Sequence, residues 1–513
     1  MALINSIASW LMVKRLHQIE LFRKYPHEVQ NEWFGKLIGS GRETEFGKNY
    51  GFDGITNPEQ FRREVPLQSY DSLRPWIERL RRGEQHLLWP TDVKWFAKSS
   101  GTTGAKSKYI PVTEESLNDC HYKGGKDMVT LYCSNYPAHQ LFTGKNLALG
   151  GSHETHIYDY HESYTGDVSA IIIQNLPLWA EMFRAPSVEI ALMSNWEEKL
   201  DKMARSTMGE NVVSLAGIPS WMIILLRRIL DITGKKNILE VWPALEIYFH
   251  GGVSFSPYRQ QMKEIIGGEI NTLELYNASE GFFGIEDEPG SGELLLMLDY
   301  GIYYEFLPAS EWNKKDGKTI SLDQVETGKP YALIISTTGG LWRYDTGDTI
   351  EFTNLLPYRF KIAGRTKHFI NVFGEEVMIA NAEKALQVAC EKTGATVHEF
   401  TAAPVFMNSH GQKGAHEWLI EFAKAPEDLN YFAELLDNAL KAINSDYEAK
   451  RYNNYVLHPP LVSQVPGGTF YRWLKSKEKL GGQHKVLRLS NERKYLEEIL
   501  ALAHEKMATE PGF

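Results

Sequence analysis

Short apolar segments that end in glycine pairs or polar loops recur through the middle of this chain. Three of them cover residues 146–149, 245–250 and 272–276. A helical pattern at 220–232, stopped by Gly234, lies between the first two. Strands that alternate with helices form a largely parallel sheet, and such sheets bind ligands at the carboxyl ends of their strands. The alternation therefore predicts an α/β fold whose site lies beside the loops that follow these segments.

The length of 513 residues requires more than one domain, because a single hydrophobic core stops growing well below this size. A second unit begins near residue 364, where a helical pattern at 381–394 precedes an alternating strand at 417–422. We expect a large N-terminal multi-layer α/β domain at 1–363. A small C-terminal α/β domain should follow at 364–513.

Charge and cysteine content exclude several classes of partner. The 55 basic and 65 acidic residues give a formal net charge of −10, which argues against nucleic acid or an anionic membrane as the main partner. The three cysteines are widely spaced, so they form neither a disulfide framework nor a zinc site and suit a reducing compartment. The apolar N-terminus lacks a basic n-region and a clear cleavage site, which indicates a packed helix. We expect a cytoplasmic protein that binds small molecules.

The segment SSGTTGAKSK, residues 99–108, concentrates hydroxyl groups, glycines and lysines. It does not match the phosphate motif GxxxxGK[ST], because Gly101 and Gly104 are too close together and Ala105 precedes the first lysine. Its glycines nevertheless let backbone N–H groups turn toward an anion. The side-chain donors are Ser99, Ser100, Thr102, Thr103, Lys106 and Lys108. These residues alone fit a phosphate-binding loop and a solvated turn equally well.

Two later stretches place carboxylates near strand ends. In YNASE, Glu280 stands just past a strand, where a carboxylate can hold Mg²⁺, and Tyr276 offers an aromatic face for a base. In YDTGD, Asp348 stands behind a glycine and ahead of another strand, where a carboxylate can accept from ribose hydroxyls. The structural alternatives are an acidic residue at a helix N-terminus for Glu280 and a turn residue for Asp348.

In this order, the three stretches resemble those of the adenylate-forming superfamily of acyl-CoA synthetases, peptide-synthetase adenylation domains and firefly luciferases. Five segments are similar in sequence to the auxin-responsive Gretchen Hagen family of acyl acid-amido synthetases, in particular its bacterial-type members. They are residues 99–111, 276–284 and 341–348, with TEFGKNYGF at 44–52 and YYEFLP at 303–308. The resemblance covers essentially the whole chain. It implies that ATP adenylates a carboxylic acid and that the acyl group then passes to an amino acid amine, giving an amide, AMP and pyrophosphate.

The resemblance also implies roles for individual residues. Segment 99–108, including Gly101 and Gly104, should contact the phosphates, with Lys108 favoured over Lys106 because it keeps the family's Lys-x-Ile-Pro spacing. Glu280 should hold Mg²⁺ and act in catalysis. The remaining nucleotide-binding positions are Gly251, Gly252, Tyr276, Ser279, Asp348 and Arg365.

Two elements near the small domain complete the resemblance. Segment 359–377 is similar to the superfamily's interdomain hinge, where Arg365 matches the arginine of a Gly-Arg pair and Lys367 stands where aspartate is more frequent. GGQHKVLRL is similar to the small domain's Gly-Lys-x-x-Arg element, which makes Lys485 the catalytic lysine. The glycine directly before Lys485 is missing, so a solvated lysine is the alternative.

Two other functions compete with amide synthesis. One is a thioester-forming acyl-CoA synthetase, which shares the adenylation step. The other is a non-catalytic nucleotide- or ligand-binding protein. For the acyl pocket, segments 157–173 and 218–226 are candidate walls, with plain hydrophobic core as the alternative. The cluster of His153, His156 and His161 fits substrate-pocket or surface histidines better than a metal site.

Overall fold

A computed structural model of the chain describes most of its residues. They are 2–99, 108–151, 153–158, 161–176, 181–252, 255, 259–312, 314, 317–365, 369–370, 373–375, 377–406, 414–454, 456–476, 486 and 488–509. The N-terminal region is helical, with helices at Ala2–Lys24, Pro26–Gly41, Glu45–Asn49, Pro58–Glu64 and Tyr70–Arg81. Local signals set where these helices begin: Thr44, Asn57 and Ser69 each accept an N–H group of the following first turn.

A mixed sheet of eleven strands forms the centre of the molecule. In spatial order its strands are Ile302–Pro308, Pro330–Thr337, Tyr344–Leu355, Tyr358–Arg365, Leu294–Leu296, Gly281–Ile285, Asn271–Ala278, Ile247–Gly251, Val212–Gly217, Lys145–Ala148 and Arg184–Ala185. The last five pair in parallel, as the alternation of strands and helices predicted. The other pairings are antiparallel. The largely parallel sheet that we expected is therefore only partly parallel: the strands of this sheet that follow Asn271–Ala278 in the chain all pair antiparallel, some of them through short turns.

Helices alternate with the parallel strands along the chain. They are Glu114–Ser116, the π-helical turn Leu117–His121, Tyr122–Asn135, Val168–Gln174, Val188–Ala191, Trp196–Thr207, Pro219–Thr233 and Arg259–Ile266. A second sheet of four strands lies in the order Lys108–Val112, Trp95–Ser99, His161–Gly166 and His153–Tyr158. Its first two strands are antiparallel and carry the two ends of segment 99–108.

The C-terminal region has its own small sheet, Thr396–Val405, Ala415–Lys424 and Leu461–Val465, preceded by the short pair Phe369–Ile370 and Val377–Met378. Its helices are Ile379–Thr393, Leu429–Ile443, Ser445–Arg451, Thr469–Ser476 and Lys494–Thr509. This arrangement confirms a large N-terminal α/β part followed by a smaller C-terminal one. None of the helices that the structure describes combines the length and the apolar character needed to cross a bilayer.

Two large hydrophobic clusters hold the chain together. The first surrounds Trp342, whose ring contacts Phe46, Phe52 and Trp89. The second crosses residue 364: it joins Trp242, Tyr248 and the buried side of Pro219–Thr233 to Phe373 and Trp418. The C-terminal part therefore packs on the main sheet through shared core. A third cluster, which includes Phe470 and Trp473, belongs to the C-terminal part alone.

Candidate active site

The parallel strands end at one edge of the main sheet. Their register pairs Gly217 with His250, and Gly251 with Leu275, so the loops that follow them open on the same side. Glycine is required at the end of the strand Ile247–Gly251, because a Cβ on Gly251 would lie 2.2 Å from the Leu275 carbonyl oxygen. Gly252 has a φ of +79°, which side chains disfavour. The predicted gathering of strand-end loops is confirmed.

A buried hydrogen bond joins the two carboxylate-bearing motifs. The Tyr276 hydroxyl donates to Oδ2 of Asp348 at 2.5 Å, across 72 residues of sequence. The Tyr276 ring is buried with edge contacts to Phe283 and Phe360. The backbone N–H of Asp348 donates to Oγ1 of Thr346 at 3.1 Å. The Asp348 carboxylate is thus held in a defined orientation beside the strand that leads to Glu280.

Lys108 lies at the start of the strand after the hydroxyl-rich segment. It pairs with Ser99, so the two ends of segment 99–108 lie side by side. Its buried ammonium is 3.5 Å from the Tyr344 hydroxyl and about 6 Å from the centroids of the Tyr70 and Tyr344 rings. Burial, followed by the charge of Glu280, raises the pKa of the Tyr344 hydroxyl well above its usual value. A neutral Tyr344 therefore lies beside the lysine and close enough to the carboxylates to sense their charge.

Glu280 occupies the turn between Asn271–Ala278 and Gly281–Ile285. With Ser279 it borders a small cleft that opens to solvent. The other walls are Pro111, Val112, Ser116, Cys120, His121, Gly281, Tyr300, Ile302, Thr337, Thr338 and Gly339. The described residues of segments 157–173 and 218–226 are not among these walls, and Met222 and Ile223 are fully buried in the second core cluster. For 218–226 the structure thus favours the core alternative.

Glu280 fits a magnesium ion that also binds substrate phosphates. Mg²⁺ prefers hard oxygen ligands and usually takes one or two carboxylates, with phosphate oxygens and waters completing its shell. Among the described residues there is no group of three or more His, Cys, Asp or Glu side chains that could form an all-protein metal site. A single carboxylate at a strand end, such as Glu280, therefore fits a magnesium ion whose other ligands are phosphate oxygens and waters.

The other predicted positions divide into two groups. Arg365 is the backbone partner of Asp348 in the antiparallel pair Tyr344–Leu355 and Tyr358–Arg365, so the structure brings these two positions together. The rest lie outside the described residues: Ser100, Gly101, Thr102, Thr103, Gly104, Lys106, Lys367 and Lys485. The strands that carry His153, His156 and His161 are described, but their side chains are not.

Sequence reasoning missed two residues near these loops. The ammonium of Lys199, almost fully buried, donates to the carbonyl oxygens of Gly150 and Gly151 at 2.5 and 2.8 Å and so fixes the turn after Lys145–Ala148. Nδ1 of His121 lies 3.0 Å from Oδ1 of Asn277 inside the YNASE motif. Asn277, a polar residue inside the motif, is the sequence signal for the contact with His121. No local sequence pattern predicts the Lys199 contact, because its acceptors are backbone carbonyl oxygens.

This fold is that of adenylate-forming ligases. The structure of GH3.15 acyl acid amido synthetase superposes with a TM-score of 0.61 at 16% identity, covering 95% of each chain. A 2-hydroxyisobutyryl-CoA ligase in complex with 2-HIB-AMP and CoA superposes with a TM-score of 0.55 at 13% identity, covering 94% of this chain and 93% of the other. At these identities the likeness establishes the architecture alone.

The sequence assigns the family within this class. Models of the GH3 family N-terminal, central and C-terminal domains match residues 15–270, 295–365 and 380–494. This chain belongs to the GH3 family. It is 24% identical over 527 residues to indole-3-acetic acid-amido synthetase GH3.3 of Arabidopsis thaliana, covering 89% of this chain and 88% of the relative. Indole-3-acetic acid-amido synthetase GH3.8 of Oryza sativa subsp. indica is also 24% identical, with 89% and 87% covered.

Proposed function

We propose that this chain is an acyl acid-amido synthetase. It uses ATP to adenylate a carboxylic acid and transfers the acyl group to the amine of an amino acid, releasing AMP and pyrophosphate. The observation that carries this proposal is the convergence of Lys108, Tyr276 and Asp348 on the sheet edge that holds Glu280. Relatives named as amido synthetases, aligned over nearly nine-tenths of the chain, support the amide as product.

Adenylation is needed because a carboxylate is a poor electrophile. One carboxylate oxygen attacks the α-phosphorus of ATP, and the bond from that phosphorus to the pyrophosphate oxygen breaks. The protein contributes by neutralising charge on the phosphates and by orienting the two reactants. Lys108, already desolvated between Tyr70 and Tyr344, would place its charge where segment 99–108 approaches the β- and γ-phosphates.

The carboxylates of Glu280 and Asp348 would bind different parts of the nucleotide. Glu280 would hold Mg²⁺, which when bound neutralises charge on the phosphate oxygens. Asp348 would accept from the ribose hydroxyls, with the Tyr276 hydroxyl fixing its orientation. Gly251 and Gly252 would let the backbone approach the nucleotide closely. By resemblance, Lys485 would neutralise the charge that develops during the first step.

The second step requires a different arrangement of the same site. We assign residues 1–363 to the large domain and 364–513 to the mobile small domain, with the hinge in 359–377. A hinge motion of this kind changes which residues of the small domain face the adenylate. The amine nitrogen then attacks the acyl carbon and AMP leaves. The backbone pairing of Arg365 with Asp348 couples the hinge to the nucleotide site. The unpaired cysteines favour the cytosol as the place of this reaction.

The direct test is ATP–pyrophosphate exchange over a panel of carboxylic acids. We expect exchange with at least one acid, and a loss of about a hundredfold in Glu280→Ala and Asp348→Ala, as for removal of one transition-state contact. Asp53→Ala, at an exposed carboxylate, is the matched control and should exchange like the wild type. Mass spectrometry of products formed with mixed amino acids should then show an amide.

Two results would contradict the proposal. Absence of exchange with every acid would favour a nucleotide- or ligand-binding protein. Exchange followed by AMP release only in the presence of coenzyme A would identify a thioester-forming synthetase. Either result would leave the adenylate-forming fold intact and replace only the assigned reaction.

A further inference from the structure

A buried glutamate in the C-terminal sheet holds the start of a short helix. Glu421 lies on Ala415–Lys424, the middle strand of that sheet, and its side chain is buried. Its Oε1 accepts the backbone N–H of Gly468 at 2.8 Å, and its Oε2 accepts that of Phe470 at 3.3 Å. The first N–H groups of a helix have no partner within the helix and form its positive end. The carboxylate therefore ties the N-terminus of Thr469–Ser476 to the sheet.

This helix shares a hydrophobic cluster with the residue that follows Lys485 in the chain. Phe470 and Trp473 of the helix belong to the third cluster, with Leu419 of the same middle strand. Val486 belongs to it as well, and it is covalently joined to Lys485, which lies outside the described residues. Consecutive Cα atoms lie about 3.8 Å apart, so the packing of Val486 limits where Lys485 can lie.

A second attachment to the sheet follows Lys485 in sequence. The backbone N–H of Ala402 donates to the Arg488 carbonyl oxygen at 2.8 Å, and the Ala402 carbonyl oxygen accepts the N–H of Ser490 at 3.1 Å. Nε of Arg488 lies 3.3 Å from Oε1 of Glu399, on the same strand as Ala402. The chain after Lys485 is thus attached to the sheet directly, whereas the helix before it is held by the buried glutamate.

We propose that Glu421 is a positioning residue for adenylation: by holding the helix Thr469–Ser476, it fixes the place of Lys485 on the small domain. The inference rests on the proposed function, which gives Lys485 the neutralisation of charge in the first step. Loss of the carboxylate would leave two backbone N–H groups without their acceptor, and a shift of the helix would relieve this. The shift would disturb the packing of Val486, and misplacing a catalytic group by about 1 Å lowers a rate by about a hundredfold.

The two half-reactions test this assignment separately. Pyrophosphate exchange reports adenylation, and amide formation from a chemically prepared acyl-adenylate and the accepted amino acid reports the second step. We expect Glu421→Leu to lower the kcat of exchange by about tenfold or more, because Lys485 is displaced. Amide formation from the acyl-adenylate should keep its wild-type rate, because the hinge motion turns other residues of the small domain toward the adenylate. Glu421→Gln keeps one acceptor oxygen, so its exchange rate should fall between those of the wild type and Glu421→Leu.

A double variant shows whether Glu421 acts through Lys485. Lys485→Ala alone should slow exchange by about a hundredfold, as for removal of one transition-state contact. Glu421→Leu should add little to this loss in the Lys485→Ala background, because the group that it positions is already absent. Losses that multiply in the double variant would mean that Glu421 acts independently of Lys485, and they would overturn the inference.

Phe432→Leu is the control for a general loss of stability in the small domain. Phe432 is fully buried against the Phe422 ring and belongs to the second cluster rather than the third. This variant should lower the free energy of unfolding, as measured by chemical denaturation, and leave both rates of the folded protein at their wild-type values. Equal losses of both rates in Glu421→Leu would show a structural role alone and overturn the inference.

The failures of the two proposals differ in these assays. If neither Glu421 variant slows exchange, or if Lys485→Ala exchanges like the wild type, the positioning role is overturned and the synthetase proposal stands. If Glu421→Leu does not fold, the same comparison of the two steps is made with Glu421→Gln. Absence of exchange by the wild type with every acid would overturn the synthetase proposal and, with it, the role assigned to Glu421.

Discussion

At the scale of single residues, the Tyr276–Asp348 hydrogen bond explains how two distant motifs act as one site. The acceptor is a buried carboxylate, and hydrogen bonds to charged groups contribute about 1.5–3 kcal/mol. The Tyr276 ring is locked by its edge contacts with Phe283 and Phe360. The hydroxyl therefore holds the Asp348 carboxylate in one orientation without any ligand.

Tyr276→Phe isolates this contribution, because it removes one oxygen and keeps the packed ring. We expect kcat/KM for ATP in pyrophosphate exchange to fall by about tenfold or more, since Asp348 would lose the donor that orients it. Tyr25→Phe, at a tyrosine that is 42% exposed, is the control and should leave the exchange rate unchanged. Wild-type exchange kinetics in Tyr276→Phe would show that Asp348 is oriented by its other contacts.

At the scale of elements, the strand Ile247–Gly251 is packed against its neighbour as closely as a glycine allows. Gly251→Ala would place a methyl group 2.2 Å from a backbone carbonyl oxygen of Asn271–Ala278, which only a shift of the strand can relieve. We expect the free energy of unfolding, measured by chemical denaturation, to fall by about 1–3 kcal/mol or more as the strand adjusts.

Gly35→Ala is the matched control for this substitution. Gly35 is exposed in the helix Pro26–Gly41, and a Cβ there would meet nothing within 4 Å. Alanine favours a helix interior over glycine by about 1 kcal/mol, so this variant should be more stable than the wild type. Equal effects of the two alanines on stability would contradict the close strand packing at Gly251.

The strand Asn271–Ala278 also carries a carboxyl group with a strongly shifted titration. Burial, and then the nearby Glu286, raises the pKa of Glu274 to about 7. Between pH 4.5 and 7 the folded protein therefore binds a proton that the unfolded chain releases, so the free energy of unfolding should decrease as the pH rises. The decrease should reach about 3 kcal/mol above pH 7.

Glu274→Gln should remove this loss, because glutamine does not ionise. We expect the variant to be more stable than the wild type at pH 8 and similar to it near pH 4.5, as measured by denaturation across this range. Glu59→Gln, at an exposed glutamate, should keep the wild-type slope. A parallel pH dependence in wild type and Glu274→Gln would assign the slope to another group.

Sequence patterns could predict the parallel strands and their loops because those signals are local: apolar runs, glycine pairs and helix stops follow one another directly. They could not predict the antiparallel half of the sheet. Leu294–Leu296 lies between Gly281–Ile285 and Tyr358–Arg365, and the second of these pairings joins segments far apart in the chain. Contacts such as Lys199 with the Gly150 carbonyl oxygen, 49 residues away, leave no pattern in either segment.

The same limit applies to the site. The positions of Glu280 and Asp348 could be proposed because each stands in a recognisable motif; the structure places Glu280 in a turn between strands and Asp348 within Tyr344–Leu355 rather than ahead of a strand. The small cleft beside Glu280 could not, because its walls come from the helical turn Leu117–His121, a strand turn and the loop at 337–339, which only the fold brings together. The apolar helix Pro219–Thr233 instead serves the core, since a helix apolar on most sides is typically buried.

At the scale of the whole molecule, the contact between the two parts of the chain bears on the proposed hinge motion. Nζ of Lys450, fully buried in Ser445–Arg451, lies 4.3 Å from the centroid of the Trp221 ring in Pro219–Thr233. Trp221 in turn packs against Trp196, with ring centroids 4.8 Å apart. A desolvated cation–π contact contributes about 2 kcal/mol, so this pair stabilises the observed arrangement of the two parts.

Trp221→Leu should weaken that arrangement selectively. A loss of about 2 kcal/mol changes the ratio of two conformations about thirtyfold, which is enough to populate an alternative that is rare in the wild type. We would measure energy transfer between dyes on cysteines introduced at the exposed positions Lys235 and Asn438, one on each side of the contact. The variant should show a second, distinct distance without ligands.

Trp33→Leu is the control, because Trp33 faces Lys36 within one N-terminal helix, with the ammonium 4.7 Å from the ring centroid. It loses a similar cation–π pair without touching the boundary between the two parts, so its distance distribution should match the wild type. If Trp221→Leu also keeps a single wild-type distance, the shared core around Phe373 and Trp418 must hold the parts together by itself. A hinge motion would then have to disrupt that core, and a rigid two-part enzyme would be the better description.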